Sequence, residues 1–89
     1  MEIIRLYWDT WNEVCDFVPK ENFVEGTYVK NGKISTDFDA KIGLILLFED
    51  RIKIAEEGDY LIKVDGVFKH YSKLQYERKI KLERLRNGM

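Results

Sequence analysis

The residues able to do chemistry are few. His70 is the one imidazole and Cys15 the one thiol in a chain of 89 residues. Neither has a second Cys or His at ligand spacing, and a structural metal site takes about four ligands. A Cys15 nucleophile activated by His70 requires the two groups within hydrogen-bond reach. Nothing in their positions demands that. His70 therefore reads as a surface or sheet-packing residue, and Cys15 as a small apolar side chain on a helix face. The carboxylates gather at three loops: Asp37 with Asp39, Glu49 with Asp50, and Glu56, Glu57 with Asp59. Acid–base work by paired carboxylates needs a cleft that raises one pKa, which exposed turns do not supply. These clusters read as solubilising charge, with imitation of phosphate spacing as the functional alternative. No catalytic set, metal site or cofactor is expected.

Gly58-Asp59 is a turn and not a phosphate loop. A phosphate cradle needs several glycines opening a helix, so that backbone N–H groups converge. Here a single glycine enters a strand. Gly58 is expected to take positive φ, with Asp59 closing the turn through its own backbone. Asn31-Gly32 and Asp65-Gly66 are two-residue hairpin turns of type I′, in which both positions need positive φ.

Charge separates along the chain. Residues 1–66 hold eight Lys/Arg against fourteen Asp/Glu, a net of −6; residues 67–89 hold seven against two, a net of +5. The tail residues Lys73, Arg78, Lys79, Lys81, Arg84 and Arg86, with Tyr76, are the candidate partner-binding set. An acidic surface, on a second copy or on a target protein, is the expected contact. Nucleic acid is not, because no recognition motif accompanies the charge and the acidic body repels a phosphate backbone.

The elements that position these groups follow from periodicity. "EIIRLYWD" alternates and reads as a strand. Thr10 and Glu13 form a capping box. Trp11, Val14, Cys15 and Val18 then fall on one helical face, and Pro19 stops that helix. "KIGLILLF" is apolar on both faces, the pattern of a strand covered on both sides. "IKIA", "YLIKV" and "VFKHY" are further strands. From Ser72 a capped helix carries Tyr71, Leu74, Arg78, Leu82 and Leu85 on a narrow stripe, although residues 79–84 alternate well enough for an edge strand. Asn87-Gly88 is its expected stop. The fold class is α+β, one domain, with an antiparallel sheet of about five or six strands, a short N-terminal helix and a C-terminal helix. More aromatics are present (Trp8, Trp11, Tyr28, Tyr60, Tyr71, Tyr76) than so small a core easily encloses, so some are expected at a binding surface. No run reaches the roughly 18 apolar residues of a membrane helix. "MEIIRLYWD" lacks the basic start of a signal peptide, and a lone cysteine suits a reducing cytoplasm.

Gly58, Asp59, Tyr60, Leu61, Ile62, Lys63, Gly66 and Phe68, followed by Tyr76, Glu77 and Ile80, resemble the C-terminal signature of a family of small phage and prophage proteins. In that family a Gly-Asp-aromatic turn leads into an Ile-Lys strand, a Gly-x-Phe turn and a short helix. "YWDTWNEVCDFV" is similar to the family's N-terminal strand and helix. "KHYSK" departs from the Tyr-Pro-Cys-Lys-Pro-like segment common there, and the basic tail is longer. The resemblance implies a phage or prophage accessory protein in the bacterial cytoplasm, without a settled catalytic role. The expected function is non-enzymatic binding of a host or phage macromolecule, such as one of defence or replication, by a homo-oligomer. The alternatives are a small-molecule sponge for a nucleotide signal, built at a subunit interface, and a nucleic-acid binder acting through the tail.

Overall fold

A computed structural model describes the backbone of residues 1–87 and the side chains of residues 1–83. The chain runs β1 (Glu2–Arg5), α1 (Trp11–Phe17), β2 (Phe23–Lys30), β3 (Lys33–Ile34), β4 (Lys41–Phe48), β5 (Arg51–Glu56), β6 (Tyr60–Val64), β7 (Val67–Tyr71) and α2 (Lys73–Asn87). The α+β class is the one the sequence implies. Its seven described strands form two antiparallel sheets, however, not a single one. One has the order β1-β6-β7 and the other β3-β2-β4-β5.

Both hairpin turns have the expected geometry. Asn31 and Gly32 sit at φ 53° and 77°, Asp65 and Gly66 at 51° and 79°. Positive φ at both central positions matches the twist of the flanking strands. It fixes the registers Val29 opposite Ile34 and Val64 opposite Val67. Residues 79–84 continue α2, so the edge-strand alternative falls away. Ser72 starts the helix through a reciprocal cap: Gln75 N–H donates to Ser72 Oγ, and Ser72 N–H to Gln75 Oε1, both at 3.1 Å. That pairing satisfies two backbone donors.

Two expectations are corrected. First, β1 ends at Arg5, and a 3₁₀ turn at Trp8–Thr10 precedes α1. The Thr10 hydroxyl accepts from Tyr7 N–H at 3.0 Å and donates to Arg5 O at 2.7 Å. It is spent on turning the chain, so it makes no capping bond to α1. Secondly, β4 is central in its sheet but covered on one face only. Ile42, Leu44 and Leu46 are buried, whereas Leu47 is 44% exposed and its neighbour Ile52 on β5 is 63% exposed. The helix that could have covered that face packs on the other sheet. The narrow stripe of Leu74 and Leu82 on α2 is left outside the core. Both are about 60% exposed (59% and 62%).

Strand alternation explains the layering. Ile4, Leu61, Phe68 and His70 point from the three-stranded sheet towards the four-stranded one. There Leu61 and Phe68 join Leu44, Leu46 and Ala55 with Leu6, Val14 and Val18 in one buried cluster. Val14 is on the expected inner face of α1, and Val18 is buried just past its end. Trp11 packs against Gly26, where an added Cβ would stand 2.7 Å from the indole. The opposite face of the three-stranded sheet carries Arg5, Tyr60, Ile62 and Tyr71. Tyr76 of α2 packs there, its ring centre 4.2 Å from that of Tyr60. With Ile80 half-buried four residues on, one helical turn later, α2 is a third layer.

Candidate functional site

Two places concentrate polar groups. The first is the Gly58-Asp59 turn. Gly58 takes φ +94° as expected, but Asp59 acts through its side chain as well as its backbone, which corrects the sequence reading. Its residue is 2% exposed. Oδ2 accepts from Glu56 N–H at 3.0 Å and from His70 Nε2 at 2.9 Å, and Oδ1 accepts from Lys73 N–H at 3.1 Å. A carboxylate is acceptor-only, so Nε2 carries the hydrogen. Arg5 clamps the same turn, its Nη2 and Nε donating to Gly58 O at 2.9 and 3.2 Å. Arg5 also stacks over Tyr60, 4.6 Å from the ring centre. Leu6 completes the junction by exchanging backbone hydrogen bonds with Asp59 O and Gly58 N. One carboxylate thereby ties the end of β5, the middle of β7 and the first turn of α2, where a negative group also suits the helix dipole.

This pair does not have the outline of a catalytic triad. That arrangement needs the second ring nitrogen to face a nucleophile. His70 Nδ1 is buried and has no hydrogen-bond partner among the described residues. Leu61 stands opposite His70 in the sheet, as the hairpin register requires. No three His, Cys, Asp or Glu side chains converge among the described residues. Cys15 is half-buried on α1, where burial and, second, the charge of Asp16 push its thiol pKa up. That is the reverse of what an activated cysteine needs.

The second place is a cleft of about 650 Å³ where the sheets part, lined by Phe48, Arg51 and Lys53 on one side and by Phe68, His70 and Tyr71 on the other. Its walls include β5 and β7, each at the edge of its sheet. Lys53 spans the gap, its Nζ donating to His70 O at 3.1 Å. Burial, and then the neighbouring charge of Arg51, hold the Lys53 pKa below the usual lysine value, with Asp59 and Tyr71 opposing. Phe48 and Phe68 stack at 5.9 Å with planes 6° apart. Sequence reasoning missed this cleft because its halves come from hairpins that the chain does not pair.

The tail residues are split. Tyr76 is half-buried against Tyr60 and Tyr71, so its ring serves the fold. Lys79 reaches over Tyr71, 5.0 Å from the ring centre. Lys73 begins α2 with an exposed side chain, and Arg78 and Lys81 are exposed. At 100° per residue, Leu74, Arg78, Lys81 and Leu82 share the face opposite Tyr76 and Ile80. The side chains of Arg84, Leu85 and Arg86, and the Gly88 stop, lie outside the described residues. Asn31, Gly32, Asp65 and Gly66 are hairpin tips, and Trp8 and Tyr28 are 65% and 55% exposed. No described helix is long and apolar enough to cross a membrane.

Comparison with protein-family models, with curated proteins and with solved structures finds no match.

Proposed function

We propose that this is a non-enzymatic binding protein that captures an acidic protein surface through the outer face of α2. The observation that carries the reading is the division of that helix. Tyr76 and Ile80 dock it, while Leu74 and Leu82 stay exposed beside Arg78 and Lys81. A helix face mixing leucine with cations has no role in this fold. It suits a partner that offers carboxylates around an apolar patch. The raised thiol pKa of Cys15 and the burial of His70 Nδ1 support binding over Cys–His catalysis. The phage-family resemblance supports a host or phage protein in the bacterial cytoplasm as the target. The acidic body disfavours nucleic acid.

A second surface supports self-association. The outer face of the four-stranded sheet presents Ile45, Leu47, Ile52 and Ile54, with Leu47 and Ile52 largely exposed. A contiguous apolar face of this kind marks an interaction site, and it lies on the far side of the molecule from α2. A homo-oligomer formed there leaves each α2 free.

The test is capture of a purified target from phage-infected and uninfected host cells, identified by mass spectrometry and re-measured with the pure pair. Arg78→Ser with Lys81→Ser should weaken the pair tenfold or more without changing the melting temperature. Ile52→Lys should shift sedimentation towards monomer and leave capture intact. Binding untouched by the α2 double variant would sink the reading.

A further inference from the structure

We infer that the cleft between β5 and β7 binds a small aromatic phosphate, of the class and size of a nucleoside monophosphate. The inference concerns a different face from α2 and stands apart from the partner reading.

The volume, about 650 Å³, lies within the range of roughly 300–1,000 Å³ that small-molecule sites occupy. Three cations line it: Arg51, Lys53 and Lys69. None of them is in an ion pair among the described residues, whose salt bridges are Lys30 with Asp37 and Asp39, and His70 with Asp59. The hydrogen bond of Lys53 goes to a neutral carbonyl. Glu49 and Asp50, on the exposed β4–β5 turn, also line the cleft. A half-buried ammonium beside a guanidinium is an unfavourable arrangement in the empty protein, which is why the Lys53 pKa is lowered. A bound anion offsets both causes. The lining thus holds three cations against two carboxylates, an excess of positive charge, and a phosphate with several acceptor oxygens can bond to more than one of the three cations at once.

The rest of the lining is aromatic. Phe48 on the β5 side and Phe68 and Tyr71 on the β7 side put aromatic surface on both walls, with Phe48 and Phe68 stacked on each other. Phe48 is half-buried, and its ring already carries the Lys53 ammonium at 5.6 Å. A planar base set against such a wall stacks without demanding sequence-specific contacts. Gln75 closes one side. Its Oε1 is occupied by the cap of α2, so its NH₂ remains to donate to a ring nitrogen or carbonyl. Cations and rings side by side on both walls offer contacts to the two halves of a nucleotide.

Isothermal titration of the full chain with adenosine monophosphate, adenosine and inorganic phosphate tests this. The nucleotide should bind with Kd below about 1 mM, and each half alone at least tenfold more weakly. Lys53→Met keeps the apolar stem and should weaken nucleotide binding tenfold or more. Arg51→Ser, at an exposed position that the fold does not need, should weaken it severalfold and keeps the test valid if Lys53→Met fails to fold. Lys33→Ser, on the distant β2–β3 hairpin, should change nothing. No heat from the nucleotide at millimolar concentration would overturn the inference. So would nucleotide binding indifferent to Arg51→Ser, or phosphate alone binding as tightly as the nucleotide.

Discussion

Asp59→Asn should be among the most damaging isosteric changes available to this chain. The carboxylate serves three donors: Glu56 N–H, His70 Nε2 and Lys73 N–H. An asparagine in the same rotamer has one oxygen. If that oxygen takes the place of Oδ2, the bonds to Glu56 and His70 survive, but the new NH₂ meets Lys73 N–H donor to donor. If it takes the place of Oδ1, the other two bonds fail. The better choice still loses one hydrogen bond to a charged acceptor, about 1.5–3 kcal/mol. It also loses the negative charge at the start of α2, about 0.3–1 kcal/mol. The expected cost is roughly 2–4 kcal/mol, and at about 4–8 °C per kcal/mol for a domain of this size the melting temperature should fall by ten degrees or more. Asp59→Ala abandons all three donors and the buried histidine, for about 3–5 kcal/mol. Urea unfolding should show a lower midpoint at unchanged slope, since the surface exposed on unfolding is the same. Glu57→Gln, at the exposed neighbouring position, is the control. An Asp59→Asn protein melting within about 3 °C of the native one would refute the account of this turn as a three-way tie.

Gly43→Ala should cost about 1–3 kcal/mol, because the new methyl would overlap Val29 Cγ2 and stand 2.8 Å from the Ala55 carbonyl, which cannot retreat; equal denaturation midpoints would contradict this. Cys15 should react with iodoacetamide at pH 8 more slowly than a free thiol, since burial and then Asp16 raise its pKa; a rate at or above that of glutathione would be the contrary result. Lys53 has a folded pKa below its unfolded value, so between those two values the unfolded chain binds more protons, and this group's contribution to stability rises with pH across that window. Comparing native protein with Lys53→Met through the alkaline range isolates the term. A native-minus-variant difference that falls with pH there would show the sign to be wrong.

Local rules in the sequence determined the elements. Asn31-Gly32 and Asp65-Gly66 dictate their turns because so few residue types accept two consecutive positive φ values, and two-residue turns then fix the strand register without help from the rest of the chain. The spacing of Val14 and Val18 marked the buried face of α1, and Gly58 declared its positive φ for the same steric reason. Other assignments depended on neighbours distant in sequence. Leucine at 74 and 82 gave a helical stripe, yet the layer beneath α2 is aromatic, and Tyr76 on Tyr60 with Ile80 beside it won the packing. The apolar outer face of β4 looked buried because composition reports only that a side chain is hydrophobic, not whether another layer arrives to cover it. Thr10 and Glu13 satisfied the spacing of a capping box, but Arg5 O and Tyr7 N–H competed for the same hydroxyl. The tie at Asp59 joins Glu56, His70 and Lys73, and the cleft joins Phe48, Arg51 and Lys53 to Phe68, His70 and Tyr71. Periodicity along one strand carries no record of which other strand stands across a gap. Only the parting of the two sheets brought those side chains together.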